Sequence, residues 1–217
     1  MFIGHNAVGF GSKGAAPRTS LGLLMAAPML LDLLWPIFVL LGIETLAIQK
    51  IAPAPFLHLR FLSYPWSHSL LMSCVWGALY GGAYYLRTRY ARGGWILAIG
   101  VVSHWLFDFF AHGPDMPLWP GGPKVGLGLW HSTAGTIVVE SILFAIGVAV
   151  YLRTTKARDR AGRIGPWTLI VFLAVVYVGS IFGDPPPSVS AVASVTLLTW
   201  LIPFWAAWFD RHRDAVA

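Results

Sequence analysis

The chain has 217 residues, 57% of them hydrophobic and only 11% charged, with a net charge of +6. Soluble domains carry roughly a quarter charged residues, so this composition excludes an ordinary soluble globular protein and points to a polytopic membrane protein. The basic residues sit in short clusters between apolar runs, which suits topology signals and argues against nucleic-acid binding. One cysteine, Cys74, excludes an internal disulfide and a thiolate metal cluster.

The first 16 residues, "MFIGHNAVGFGSKGAA", are apolar and rich in Gly and Ala. As a helix they reach about 24 Å, short of a comfortable span. Lys13 and Arg18 follow the apolar part, unlike a signal peptide, so no cleavage is expected. We expect a hairpin turning near Pro17–Thr19, with His5 and Asp32 at similar depth on its two arms.

Six apolar stretches follow, at roughly 20–47, 67–86, 94–112, 130–152, 166–183 and 190–209, each approaching the ~20 residues a span needs. The breakers between them are "APAP" at 52–55, "GPDMPLWPGGPKVG" at 113–126 and "GDPPPS" at 183–188. The expected fold is all-α: one transmembrane bundle over 1–217, with five to six spanning helices and a short N-terminal helix over 1–16. Residues 113–129 form an outer Gly/Pro loop and 210–217 a cytoplasmic tail. Arg87, Arg89 and Arg92, then Arg153 to Arg163, then Arg211 and Arg213 all fall on one side if the spans alternate. The positive-inside rule makes that side, and the C-terminus, cytoplasmic.

Within "SHWLFDFFAH", His104 and Asp108 lie one turn apart on one helical face, able to reach a single cation. His112 continues toward the outer end, turned by about 80°. Asp32, in "APMLLDLLWPIF", is a carboxylate among Leu, Met and Trp, flanked by Pro28 and Pro36. It must be protonated or neutralised there. His68 follows Pro65 in "YPWSHSLLMS", at the outer end of a helix. Ionisable groups in hydrocarbon cost about 2.5–3.5 kcal/mol each, so they face partners or water-filled cavities.

Four histidines (His5, His68, His104, His112) and two aspartates (Asp32, Asp108) thus project from the outer half of a small bundle. Nitrogen and oxygen donors without thiolate suit one or two Zn²⁺ ions, with Mn²⁺ or Fe²⁺ as alternatives. An open site of that kind brings the pKa of bound water to roughly 7. His112 is the candidate proton shuttle. His131 opens the fourth long stretch, where it can support the site or add a ligand. Lys124, beside two glycines in the outer loop, can meet a substrate phosphate. His58 and His212 read as a loop and a tail histidine.

The order His5, Asp32, "SHS" with His68, "SHWLFD" with His104 and Asp108, then "MPLWP" resembles the bacterial membrane-bound metal-dependent hydrolases. The likeness covers roughly residues 1–131, and "HGPDMPLWPGGPKVGLGLW" looks like the signature of one subgroup. It implies a bacterial inner-membrane location and metal-dependent hydrolysis. The ligand order is also similar to that of zinc-dependent phospholipase C and P1-type nucleases. By that likeness His104, Asp108, Asp32 and His68 hold the main metal and His5 a neighbouring one. Those enzymes add a His and an acidic residue one turn apart, whereas here His131 is followed by Gly135 and Glu140 is out of phase. The expected activity is hydrolysis of a phosphoester or lipid-like amphiphile from the bilayer. Competing classes are a metal-ion or proton transporter and a non-catalytic metal-binding membrane protein.

Overall fold

A computed structural model describes residues 1–216. Its helices are α1 (Ile3–Ala15), α2 (Leu21–Leu40), α3 (Pro65–His68), α4 (Leu70–Thr88), α5 (Ala91–Ala111), α6 (Thr133–Thr154), α7 (Arg160–Phe182), α8 (Val189–Thr196) and α9 (Leu201–Asp210). A 3-10 turn at Leu197–Trp200 joins α8 to α9, so Val189–Asp210 crosses as one rod. Among the described residues, five rods are long and apolar enough to span a membrane: α2, α5, α6, α7 and α8–α9. The long helix α4 packs against α5 as a further member. The fold is an all-α polytopic bundle, as the composition demands.

Local chemistry sets the helix starts. Ser20, Ser69, Ser132, Asp159 and Ser188 each accept a backbone N–H two or three residues on, capping α2, α4, α6, α7 and α8. Helix α2 is hydrophobic all round and forms the axis of the bundle, packing against α1, α5 and α8–α9. One core joins Phe10, Tyr151, Leu173 and Phe209 from α1, α6, α7 and α9. A second joins Leu24 and Leu31 of α2 to Leu97 and Val101 of α5. Small residues let backbones meet: a Cβ at Gly147 would lie 2.2 Å from the Ala7 carbonyl oxygen, which fixes α1 against α6. The outward faces stay apolar, with Ile142, Val175 and Leu201 more than half exposed.

Three short antiparallel pairs depart from the sequence expectation. The stretch read as apolar over 20–47 stops at Leu40, because Gly42 turns the chain at φ +73°. β1 (Thr45–Ile48) then pairs with β2 (Leu59–Ser63), Leu46 opposite Phe61. The 113–129 loop contains β3 (Met116–Pro117) against β4 (Lys124–Val125). Within the segment read as a cytoplasmic tail, β6 (Arg213–Ala215) pairs with β5 (Thr155–Ala157).

The two ends of the bundle differ. At one end Arg18 stacks over Tyr90 and Arg213 over Tyr151, and Lys13 reaches Asp210 at 2.7 Å. The arginine clusters lie at this basic end. At the other end the β1–β2 and β3–β4 pairs pack around Tyr64, Trp105 and Met116. The candidate site lies just beneath them.

Candidate metal centre

The α1–α2 hairpin brings His5 and Asp32 to the same depth, and α5 adds His104, so that ligand atoms of all three lie within 4.8 Å of one another. A second group, His68, His104 and Asp108, meets the same limit. His104 Nε2 lies 3.2 Å from His68 Nε2 and 3.1 Å from Asp108 Oδ2. Asp32 Oδ1 lies 3.5 Å from His68 Nε2 and 3.8 Å from His104 Nε2. Asp108 Oδ2 is 4.0 Å from His68 Nε2. Donors at Zn–N distances in a tetrahedron stand about 3.3 Å apart. His68, His104 and Asp108 thus offer donor atoms 3.1–4.0 Å apart, near the spacing one cation requires, and Asp32 stands beside the two histidines. The five sequence-derived ligand candidates converge in space.

Hydrogen bonds on the far side of each ring set its tautomer. His104 Nδ1 lies 2.6 Å from the Pro28 carbonyl, which can only accept, so Nδ1 carries the proton. His68 Nδ1 lies 2.6 Å from Ser67 Oγ. Ser67 spends its own hydrogen on Glu44 Oε2 at 2.7 Å, so it accepts from His68 Nδ1–H. With Nδ1 protonated in both, each ring in its neutral form turns Nε2 to the site as an acceptor, the form in which imidazole binds a metal.

Glu44 is fully buried and also accepts the backbone N–H groups of Trp66 and Ser67. One carboxylate thus fixes the short helix α3 and, through Ser67, the His68 ring. The sequence reading missed this residue. Its signal was a lone acid in the apolar run "LGIETLAI", but the partner 22 positions away is visible only in the fold.

His5 stands on the opposite side of Asp108. Its Nε2 lies 3.0 Å from Asp108 Oδ1, and its ring stacks on His104 at 3.8 Å between centroids. Asp108 thus turns one oxygen to His104 and the other to His5. The Met1 amino group also contacts Asp108 Oδ1. Among the described residues, His5 Nδ1 and Glu140 Oε1 are buried without a hydrogen-bond partner. Glu140, out of phase for a ligand by sequence spacing, accepts the N–H groups of Phe2 and Gly4 and so anchors the start of α1.

His112 is not on the helical face that the i, i+8 spacing suggested. Helix α5 ends at Ala111, and His112 is its extended C-cap. The ring nevertheless turns back, with Nε2 3.8 Å from Asp108 Oδ2 and Nδ1 3.2 Å from Asp115 Oδ1. Trp130 lies against it, 4.1 Å between centroids. Beside it, burial and then the Asp115 carboxylate push the Tyr64 phenol above its ordinary pKa, so it stays a neutral donor, directed at Met116 Sδ.

The remaining candidates lie outside this cluster. His131 is exposed and points its Nδ1 at the Gly128 carbonyl; the 3-10 turn that carries it turns Trp130, not His131, toward His112. Lys124 is exposed on β4, with Nζ donating to the Leu62 carbonyl at 3.1 Å. His58, read as a plain loop residue, borders the cavity described next.

A cavity of about 730 Å³ adjoins the cluster and is bordered by Asp32, His68, Asp108 and His112. Asp32 is the open side: its side chain is 24% exposed, while those of His68, His104 and Asp108 are at most 4% exposed. No curated protein and no solved structure matches the chain. Residues 58–185 match the YdjM inner membrane protein family, a span that covers His68, α4 to α7 and the HxxxD pair. With more than half its length inside that match and five helices able to span a bilayer, the chain belongs to the YdjM family of inner-membrane proteins.

Proposed function

We propose that this protein is a metal-dependent hydrolase of the inner membrane, acting on a phosphoester-bearing amphiphile. The observation that carries the reading is the pair of Nε2 atoms facing each other at 3.2 Å, with two carboxylates beside them. Between neutral rings these atoms are two acceptors, which cannot bond one another; a metal cation between them removes the repulsion and satisfies the carboxylates at the same time. The donor set is imidazole and carboxylate, which fits Zn²⁺ first and Mn²⁺ or Fe²⁺ next. Asp108, with its oxygens turned to different histidines, gives His5 a role beside a second ion.

Bound there, such a cation supplies Lewis acidity toward a phosphoryl oxygen and the means to ionise water near neutral pH. The chain supplies the rest. Asp115 holds Nδ1 of His112, leaving Nε2 free to take a proton from water or return one to the leaving oxygen. The apolar walls given by Trp35, Phe56 and Phe61 limit water to the polar end of the cavity. The exposed edge of Asp32 favours an open site over a closed structural one. By the positive-inside rule the basic end and the C-terminus face the cytoplasm, which turns the site toward the outer leaflet.

Elemental analysis of the purified full chain tests this. The wild type retains about one to two equivalents of a transition metal, while His104→Ala and Asp108→Asn retain little. A chromogenic phosphodiester is cleaved by the wild type and not by these variants. A wild-type preparation free of tightly held transition metal overturns the reading.

A further inference from the structure

The cavity continues well beyond the polar cluster. One face of α7, at Phe172, Val176 and Gly179, forms one wall, and Val195, Leu198 and Ile202 of the α8–α9 rod form the other. Their spacing keeps each set on a single helical side. From Phe172 to Gly183 this wall runs about 16 Å along α7. Helix α8 packs on α2 and α7 packs on α9, and the exposure of Phe172, Val195 and Leu198 in the cavity lining opens the space between α7 and α8 to the outer face of the bundle. Val195 and Leu198 are more than half exposed along that opening.

The hydroxyls in these walls do not make the cleft polar. Ser180 Oγ donates to the Tyr177 carbonyl, Thr196 Oγ1 to Val192 and Thr199 Oγ1 to Thr196, each within its own rod. What they leave toward the cavity is hydrocarbon. The polar end differs in one further way: Trp130 borders the cavity, and its indole N–H is buried with no partner among the described residues. A buried donor of that kind costs stability until a ligand oxygen accepts from it.

We infer that the cleft between α7 and the α8–α9 rod receives an acyl chain of a membrane phospholipid, entering sideways from the bilayer, while the lipid's head lies among Asp32, His68, Asp108 and His112. The identity of the head rests on the hydrolase reading above; the chain site rests on the cavity alone. Three features select a lipid chain over a soluble ligand: the walls along the two rods are mostly hydrocarbon with Asp184 at their outer rim, the opening is lateral within spanning helices, and the candidate metal centre forms a polar end. The Trp130 indole donates to an oxygen of the head or of the ester beside it.

Gly179 offers a clean test, because a Cβ built there meets nothing within 4 Å. Gly179→Leu therefore adds a side chain to the cleft wall at a position where its Cβ meets no neighbour. The full chain is reconstituted in phosphatidylethanolamine and phosphatidylglycerol vesicles containing a phosphatidylcholine with a diazirine near the end of one chain. After illumination, crosslinks are mapped by peptide mass spectrometry. In the wild type they concentrate on 172–183 and 192–202. Gly179→Leu, and independently Val195→Trp, lower that labelling by about tenfold with unchanged metal content and unchanged Tm. Asp32→Asn loses metal and keeps the labelling. Labelling spread evenly over the lipid-facing helices, or equal in wild type and both cleft variants, overturns the inference. So does labelling that disappears only because a second copy covers the cleft. Absence of metal with cleft labelling intact leaves the chain site standing and removes only the hydrolase reading.

Discussion

His68 and His104 face each other with Nε2 atoms 3.2 Å apart, and each is locked from behind, one by Ser67 and the other by the Pro28 carbonyl. The lock on His68 runs through Glu44. Ser67→Ala leaves the His68 Nδ1–H without an acceptor, and Glu44→Gln removes the charge that orients Ser67. Outer partners of metal-binding histidines are typically worth about 10–100-fold in affinity. Each variant is expected to lose metal to a chelator at correspondingly lower chelator concentration. The double variant should lose no more than the stronger single one, because the two act in one chain. Metal retention equal to wild type in both variants removes Glu44 from the site.

His112 is expected to matter for turnover and not for metal retention. Its Nε2 stands 3.8 Å from Asp108 and its Nδ1 is held by Asp115. His112→Gln should lower cleavage of a chromogenic phosphodiester by about 10²–10⁴-fold, the usual range for a proton-transfer group. Asp115→Asn should fall in between, since the ring remains but loses its orienting charge. Metal content should stay at the wild-type level in both. Loss of metal from His112→Gln would make it a ligand instead.

Metal removal should also be visible in stability. A ligand that binds only the folded state adds about 4 kcal/mol at a thousandfold excess over Kd. Chelation is expected to lower the Tm of the wild type. In His104→Ala, whose site is already broken, the same treatment should leave Tm where it was. Equal shifts in both proteins would trace the effect to something other than this cluster.

At the basic end, Asp210 accepts from Lys13 Nζ at 2.7 Å, from the Leu21 N–H at 2.9 Å and from the Tyr151 hydroxyl at 3.1 Å. It ties α1, α2, α6 and α9 together. Asp210→Asn strands a buried ammonium, which costs about 3–5 kcal/mol. Lys13→Met with Asp210→Leu removes both charges and should recover much of that loss. Thermal unfolding of the three variants in one detergent measures the difference. A double variant no more stable than Asp210→Asn would show that the N–H and hydroxyl bonds, not the ion pair, hold this end.

Gly147 links packing to the site. A Cβ there meets the Ala7 carbonyl oxygen at 2.2 Å, and Ala7 lies two residues from His5. Gly147→Val must push α1 away from α6, at a cost of about 1–3 kcal/mol or more. Thermal unfolding should fall by that amount. Where the metal count is two, the same variant should lose the ion nearer His5 first.

Much of this could be read from the chain before any fold was known. Apolar runs broken by Pro and Gly clusters gave the bundle, and the basic clusters gave its two ends. Asp32 between prolines, and His104 with Asp108 one turn apart, stood out because charge in hydrocarbon needs a reason. His112 lies beside Asp108, though not by the spacing that suggested it: the helix stops one position earlier, and a C-cap, not a helical face, aims its ring. His131 and Lys124 looked equally suited to the chemistry, yet both are exposed and bonded to nearby carbonyls.

By itself, the sequence determined what must be hidden from lipid: the hydrophobic length of each helix and the cost of a buried charge are local properties, fixed residue by residue. Only the tertiary structure decided which hidden groups meet. The Glu44–Ser67–His68 chain, the opposed Nε2 atoms of His68 and His104, and the cleft between α7 and α8 are distances between segments far apart in the chain. Such distances arise from helix packing through Gly and Pro, which leaves no period or spacing in the sequence to announce them.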